Sequence, residues 1–484
     1  MTVPPWLVGA VRTSPWPQLS VVVAGIGVSG FAAADALLGL GAIVTVVDAR
    51  DGEAETDRAS VLEILGATVR LGPGATRELP GGAGLVVTSP GWRPTAPLLV
   101  AAAEAGVPVW GEVELAWRLR DAERPAPWLA VTGTNGKTTT VRMLAEMLRA
   151  SGLRVAAAGN VGDPVVEAVL HPEPHDVIAL ELSSYQLHWT HSMAARSAAL
   201  LNVAPDHLDW HGSLEDYAAD KGRIYTGVEV ACVYNVEDAE TERLVRAADV
   251  VEGARAIGFT LGVPGAGMLG VVDGLLVDRA FVAERQTSAA ELASVADVVP
   301  AAPHNVANAL AAAALARSVG VPAVAVRDGL RAFRPDPHRI AEVATFGGVS
   351  WVDDSKATNA HAAQASLLTY DDVVWVAGGL AKGAEFDALV QAVVGRLRGV
   401  VLIGADRALL ADALARHAPD VPVVEVAGTD NEVMDRVVAR AITLARPGST
   451  VLLAPACASM DMFANYAARG DAFAAAVRRH GHQH

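Results

Sequence analysis

Trp128-Leu-Ala-Val-Thr-Gly-Thr-Asn-Gly-Lys-Thr-Thr-Thr140 is the stretch whose reading decides the fold. Its first four residues read as a short buried strand, and Val141-Arg-Met-Leu-Ala-Glu-Met-Leu148 has the apolar spacing of a helix. Between them Gly133, Thr134, Asn135, Gly136, Lys137, Thr138 and Thr139 form a glycine loop. Such a loop aims backbone N–H groups and a helix N-terminus at one point, the arrangement with which proteins hold phosphates. Lys137 is then expected to reach the terminal phosphates of ATP, and the Thr138 hydroxyl to face the accompanying Mg²⁺. The usual loop has four residues between its glycines; here Gly133 and Gly136 are separated by two, which narrows the field of ATP users. An ordinary Gly/Thr turn before a helix is the alternative, and Gly-Lys-Thr in a strand–loop–helix context argues against it.

On the N-terminal side, Leu19–Ala24 reads as a strand, followed by Gly25-Ile-Gly27-Val28-Ser29-Gly30, an alanine-rich helix, and a second strand, Ala42–Val47, ending at Asp48. A G-x-G-x-x-G turn with an acidic residue about 20 positions on is the dinucleotide fingerprint, and taken alone it suggests an NAD enzyme. Strands at Leu85–Thr88 and Val107–Trp110 extend the sheet, and Arg124-Pro-Ala-Pro127 reads as a linker. On the C-terminal side, strands at Arg154–Ala158, Val177–Leu182, Ala198–Val203 and Ala231–Tyr234 imply a second parallel α/β layer. A hairpin with an Asp-Gly turn at Gly267–Ala280 and a helix at His304–Val319 follow. Phe333-Arg-Pro-Asp-Pro337 is a second linker. Strands at Ser350–Val352, Val373–Ala377, Val400–Ile403 and Thr450–Ala454 give a third, Rossmann-like unit. The fold class is therefore α/β in three domains, at 1–126 (Rossmann-like), 127–336 (P-loop mononucleotide-binding) and 337–484 (Rossmann-like).

Bulk properties agree. At 484 residues about three domains are expected. A net charge of −16 without a basic stripe argues against nucleic acid, whose binding needs clustered Lys and Arg. Two distant cysteines, Cys232 and Cys457, suit a reducing compartment with no disulfide framework. No uninterrupted run of about 18 apolar residues suggests membrane insertion. A cytoplasmic protein, and a monomer, is expected. The terminal His480-Gly-His-Gln-His484 reads as a frayed polar tail.

Two phosphate-type loops cannot both be explained by NAD. Glu181 ends the strand of Val177-Ile-Ala-Leu-Glu-Leu-Ser-Ser-Tyr-Gln186, where α/β sheets place their sites, although a helix-capping or surface glutamate also fits. Asp206-His207-Leu-Asp209 follows another strand and offers a metal ligand or a structural histidine. Lys221, in Tyr217-Ala-Ala-Asp-Lys-Gly-Arg-Ile-Tyr225, reads from its surroundings as a solvated helix lysine.

These motifs together, with His304-Asn305 and Asn308, resemble the ATP-dependent Mur ligase family over nearly the whole chain and in the right order. Asp354-Ser-Lys-Ala-Thr-Asn359 and Pro455-Ala-Cys-Ala-Ser-Met-Asp461 are similar to its D-glutamate-adding branch; the Asp-Asn-Pro-Arg motif of the diamino-acid-adding relative is absent. The resemblance implies that a carboxylate of UDP-N-acetylmuramoyl-L-alanine takes the γ-phosphate of ATP. The amine of D-glutamate then attacks the acyl phosphate, in peptidoglycan precursor synthesis.

The resemblance assigns roles by position. Gly133 to Thr139, Asn305, Asn308, Arg339 and Asp354 bind ATP, with His338 beside them. One Mg²⁺ falls to Thr138 and Glu181, and a second to His207 and a carbamylated Lys221. Lys137, Glu181, His207 and Lys221 form the catalytic set. Val28, Ser29, Asp48, Arg50, Ser89, Asn160 and His207 hold the UDP substrate, so the first glycine loop serves UDP instead of NAD. Lys356, Thr358, Lys382, Ser459, Met460 and Tyr466 hold D-glutamate, whose two carboxylates suit hydroxyl and ammonium donors. The third domain is expected to swing in to close the site. Trp210 stands where relatives often carry Arg, and Gly378-Gly-Leu-Ala-Lys382 replaces a common Gly-Gly-Asp-Gly-Lys. A nicotinamide-dependent oxidoreductase leaves Lys137, Glu181 and the third domain unexplained. A non-catalytic nucleotide-binding scaffold is expected to lose Lys137, Glu181 or His207, and all three are present.

Overall fold

The computed structural model describes residues 3–430 and 432–482. Three sheets, each rich in β-branched and alanine residues buried on both faces, account for the expected layers. The chain separates into two compact units, Met1–Asp297 with Ala307–Phe333, and Val298–Val306 with Arg334–His484.

The first sheet is parallel, in the spatial order Thr68–Leu71, Ile43–Asp48, Ser20–Ala24, Leu85–Thr88, Val109–Gly111. Connections reverse direction between Ser20–Ala24 and Leu85–Thr88, so the loops that follow them, at Gly25 and Ser89, open one crevice. Thr68–Leu71 escaped the sequence reading because this edge strand, Thr-Val-Arg-Leu, is short and half-exposed.

The second sheet has nine strands. Trp128–Thr132 lies between Val177–Glu181 and Ser197–Leu200, with Val155–Gly159 beyond the former and Ala231–Asn235 and Arg255–Phe259 beyond the latter, all parallel. Met268–Val272, Leu275–Asp278 and Ala290–Ser294 finish one edge. The expected Asp-Gly turn is there: Asp273 (φ 49°) and Gly274 (φ 77°) are both left-handed, the geometry that a tight hairpin needs.

The third sheet runs Ala341–Phe346, Val349–Asp353, Thr450–Leu453, Val373–Gly378, Leu397–Ile403, Val423–Glu425, parallel except for the first pair. At its C-terminal end the helix Tyr466–Gly481 carries His480, whose Nε2 lies 3.7 Å from Asp435 Oδ1. The frayed tail is thus corrected for His480 and Gly481: the helix continues through both because an ion pair and a packed apolar face hold it. Gln483 and His484 lie outside the described residues.

The first two sheets share one apolar core that runs from Leu7, Trp16 and Leu37 to Trp128, Val165 and Leu187. Two buried glutamates on the helix Glu112–Arg118 stitch them together. Glu114 accepts from His191 N, Ser192 N and Ser192 Oγ (2.8, 2.8 and 2.6 Å) and from Arg118 Nε. Glu112 Oε1 accepts from Val166 N at 2.6 Å, and burial pushes its carboxyl up to about 7. A carboxyl whose folded value is raised stabilises fully below the unfolded value and loses that contribution as pH rises through the folded one. The wild type is therefore expected to lose on the order of 1–3 kcal/mol between pH ~5 and ~8 relative to Glu112→Gln. Urea denaturation of both proteins across that range checks it.

Candidate active site

Trp128–Thr132, buried throughout, delivers the chain into the glycine loop, and the helix Lys137–Ala150 leads it out. Gly136 caps that helix in the left-handed region (φ 86°), and a Cβ there would lie 2.3 Å from Asn308 Oδ1. Only glycine satisfies both constraints. Asn202 clamps the loop: its Oδ1 accepts from Asn135 N (2.8 Å) and its Nδ2 donates to Asn135 O (3.1 Å). Thr134 Oγ1 accepts from Ala204 N (2.9 Å) and lies 3.1 Å from the Tyr217 hydroxyl. Thr138 and Thr139 are buried in the first helical turn.

Two lysines meet on one carbonyl. Lys137 Nζ donates to Gly133 O and Thr134 O, each at 2.8 Å, and Lys221 Nζ donates to the same Gly133 O at 2.8 Å. The solvated reading of Lys221 is corrected: the residue is 1% exposed, on the helix Leu214–Gly222 and over the Tyr217 ring. Burial, and then the neighbouring Lys137 charge, hold its amine well below the ordinary lysine range.

Glu181 sits one strand over, opposite Val131, and is also 1% exposed. Its Oε1 accepts from Asn160 Nδ2 at 2.8 Å, whereas its Oε2 is buried without a hydrogen-bond partner. It is not a cap. The helix Ser184–His188 is capped reciprocally by Ser183 and Gln186. A buried carboxylate oxygen left unpaired is costly unless a cation comes to it. His207 has left-handed backbone (φ 55°), a partly exposed ring 5.0 Å from that of Tyr185, and Asp206 Oδ1 at 3.6 Å. Among the described residues no three His, Cys, Asp or Glu converge as a metal site. The expected ligands include Thr138 and Lys221, and Mg²⁺ commonly takes only one or two protein carboxylates, so Glu181 with its free oxygen fits that ion.

Behind these groups lies a network that the sequence did not disclose. Asp220, beside Lys221, takes His188 Nδ1 at 2.9 Å and His211 Nδ1 at 3.1 Å, and His211 Nε2 reaches Ser184 Oγ at 3.0 Å. Burial alone would raise the Asp220 carboxyl, but the histidines and Arg223 outweigh it and hold it at about 2. The helices that follow Glu181 and that carry Lys221 are thereby fixed to each other. In sequence these were isolated polar residues without a spacing signature.

In the first crevice, Gly25 is left-handed (φ 101°), and a Cβ on Gly30 would lie 1.9 Å from Gly25 O. Asp48 Oδ2 accepts from Ile26 N (2.9 Å) and Oδ1 from Arg50 N (3.0 Å), with the Arg50 guanidinium 3.2 Å away. Ser89 Oγ is buried against the glycines without a partner. Val28 and Ser29 open the helix Val28–Gly39, Val28 largely exposed.

In the second unit the D-glutamate set comes from the ends of adjacent strands. Lys356 and Thr358 follow Val349–Asp353, Ser459 and Met460 follow Thr450–Leu453, and Lys382 follows Val373–Gly378. Lys356 Nζ donates to the Tyr466 hydroxyl at 3.2 Å. Ser459 is buried; Lys382, left-handed at φ 51°, and Met460 are exposed. Arg469, a fully buried arginine missed in the sequence, donates to Ser355 Oγ (2.9 Å), Ser355 O (2.8 Å) and Cys457 O (3.1 Å), tying two of these loops together. Asp354 accepts from Ile340 N and Ser366 Oγ, and burial raises its carboxyl to about 6. His338 Nδ1 pairs with Asp353 Oδ2 at 2.6 Å, and Arg339 Nε lies 3.7 Å from Asp336. Asn305 Nδ2 donates to Pro300 O at 3.3 Å, one helical turn before Asn308.

Residues 19–111 match the Mur ligase MurD-like N-terminal domain, 131–316 the Mur ligase middle domain, and 338–457 the Mur ligase glutamate ligase domain. The chain is 68% identical over 463 residues to a UDP-N-acetylmuramoylalanine–D-glutamate ligase of Streptomyces avermitilis, covering 96% of this chain and 98% of the relative. It is 60% identical to the ligase of that name from Thermobifida fusca (95% and 98% covered) and 50% identical to that of Mycolicibacterium smegmatis (96% and 97%). Among solved structures, the UDP-N-acetylmuramate-alanine ligase of Thermotoga maritima shares the fold at a TM-score of 0.54 and 19% identity, over 96% of this chain and 100% of that one. A pseudomurein peptide ligase type C from Methanothermus fervidus does so at 0.56 and 18%, over 90% and 96%.

Gly136→Ala should cost about 1–2 kcal/mol for the left-handed backbone and displace the Asn308 amide. Most of the thermal stabilisation that ADP gives the wild type should then disappear. Gly27→Ala, with φ −64° and open space around its Cβ position, should retain it.

Proposed function

This chain belongs to the Mur ligase family, and from that premise we propose how its residues divide the work. It is an ATP-dependent amide-bond-forming ligase that adds D-glutamate to UDP-N-acetylmuramoyl-L-alanine in peptidoglycan precursor synthesis, using ATP and Mg²⁺. The observation that carries the site assignment is the unpaired, buried Glu181 oxygen one strand from a glycine loop on which two lysines converge.

A carboxylate oxygen of the acceptor attacks the γ-phosphorus, the bond to the β,γ-bridging oxygen breaks, and ADP leaves. The D-glutamate amine then attacks the acyl carbon and inorganic phosphate departs, with one amine proton lost. The loop N–H groups and Lys137 hold the polyphosphate. For this the Lys137 ammonium exchanges two neutral carbonyls for anionic oxygens, a stronger charge-assisted bond. Thr138 and Glu181 would hold one Mg²⁺, and His207 and a carbamylated Lys221 would hold a second. Bound there, Mg²⁺ supplies positive charge that lets the acceptor carboxylate approach the triphosphate. Lys221 suits carbamylation because burial favours the neutral amine, whose lone pair adds to CO₂ with loss of a proton. Gly133 to Thr139, Asn305, Asn308, Arg339 and Asp354 bind ATP. Val28, Ser29, Asp48, Arg50, Ser89, Asn160 and His207 bind the UDP substrate. Lys356, Thr358, Lys382, Ser459, Met460 and Tyr466 bind D-glutamate. The domain limits 1–126, 127–336 and 337–484 and a monomeric, cytoplasmic state belong to the same reading. Both cysteines are buried and free, in keeping with a reducing compartment. No helix among the described residues is long and apolar enough to cross a membrane.

Phosphate release from ATP should require both UDP-N-acetylmuramoyl-L-alanine and D-glutamate; equal turnover with L-alanine or L-glutamate as donor would overturn the donor assignment. Lys221→Ala should lose most activity, roughly 10²-fold or more by the measure of a lost charge-stabilising group, with partial rescue by acetate or formate. Near-normal turnover in the unrescued variant would return Lys221 to a structural role.

A further inference from the structure

A second cluster of cations lies at the opposite end of the central sheet from the glycine loop. Trp128 opens the strand that the loop closes, and Ile178 pairs with it, so this end is about 17 Å away at ~3.3 Å per residue. Here a cavity of about 200 Å³ is lined by Arg12 from the N-terminal segment and by Arg120 and Arg124 from the linker. Trp128, His171 and His175 of the central domain complete it.

Three features mark it as built for an anion. First, the charges are only partly offset, by Asp121 near Arg12 and Arg124 and by Glu229 and Glu114 near Arg120. Among the described residues none of the three guanidiniums has a carboxylate within 4.0 Å, whereas most arginines of this chain do. The acidic group in the lining, Asp121, accepts at Oδ1 from the backbone N–H groups of Glu123 (2.8 Å) and Arg124 (2.9 Å), and the charges of Arg124 and Arg12 add to these bonds in holding its carboxyl low. Second, Arg120 is held in place: its Nε donates to Trp117 O at 2.7 Å and its plane lies over the Trp117 ring, which leaves both terminal nitrogens as donors. Third, the Trp128 indole N–H is buried without a partner, although Trp128 is 1% exposed and borders the cavity. A buried donor left unmade is costly, and the Trp117 ring, edge-on to Trp128 at 4.9 Å, offsets part of that cost. In a chain of net charge −16, three arginines around one cavity, without a carboxylate within 4.0 Å among the described residues, are a local reversal of sign.

We propose that this cavity is a second anion-binding site, taking a small ligand with two or more phosphate or carboxylate groups. At about 30 Å³ per water, the volume suits an organic or condensed polyanion better than a lone chloride. Because its walls come from the N-terminal segment, the linker and the central domain, occupancy stabilises their junction by mass action.

Calorimetric titration of the full chain with inorganic pyrophosphate, and separately with citrate, in the absence of Mg²⁺, tests this. The wild type should show a binding event that weakens with added salt. It should persist in Lys137→Ala and weaken at least tenfold in Arg120→Gln/Arg124→Gln. Binding of both probes supports a general polyanion site; binding of pyrophosphate alone supports it and narrows the ligand to phosphates. If the double variant does not melt cooperatively, Arg12→Gln/Arg124→Gln, which alters exposed residues only, carries the comparison. Isotherms unchanged in the arginine variants, or an event lost in Lys137→Ala and kept in them, overturn the proposal.

Discussion

The Gly133 carbonyl is the point on which the catalytic half of the molecule is built. It accepts from Lys137, on the helix that the loop starts, and from Lys221, on a helix 88 positions away in the chain. Two ammonium groups cannot share one acceptor in a buried setting without mutual repulsion, and the less solvated of the two gives way. Lys221 is fully enclosed, and burial, then the Lys137 charge, hold its amine well below the ordinary lysine range. One backbone oxygen thus draws two lysines from distant parts of the chain to one point. The Asp220–His188–His211–Ser184 network fixes the helix of Lys221 against the helix after Glu181.

Much of this was legible in the sequence where physics is local. Glycine loops between a strand and a helix announce themselves because backbone conformation demands them, as Gly25, Gly133 and Gly136 do. The Asp-Gly hairpin was readable for the same reason. Edge strands such as Thr68–Leu71 and Val423–Glu425 were not, because a short half-exposed segment carries no apolar alternation. Lys221 was misread from its neighbours alone. Its helix has an ordinary polar composition, and the enclosure comes from the glycine loop, which approaches only in three dimensions.

Arg469 shows the same limit in the second unit. On a helix ending in Arg478, Arg479 and His480 it reads as one more surface cation, yet it is enclosed and bonded only to neutral oxygens. An uncompensated guanidinium costs free energy in isolation. Burial lowers it only to about 10, so the charge persists at neutral pH. Its electrostatic field acts on the loops that carry Lys356 and Ser459, and a dicarboxylate donor is the class of molecule that such a field favours. The two loops are held by one group, whose charge Asp461 and Asp353 partly offset.

Unsatisfied polar atoms sort by what surrounds them. The Trp351 indole N–H is unpaired where its ring stacks on Phe346 and meets the tilted ring of Phe473, and packing offsets the missing bond. Ser89 Oγ and Glu181 Oε2 are unpaired at the C-terminal edges of parallel strands, each beside a glycine loop where connections reverse. A fold tolerates such groups when a ligand completes them, because binding then recovers the desolvation cost already incurred on folding. The negative oxygen calls for a cation, and the hydroxyl, able both to donate and to accept, suits a phosphate or its ribose. Their placement follows from strand order: the switch from one side of a sheet to the other opens the crevice at whose mouth each of them stands.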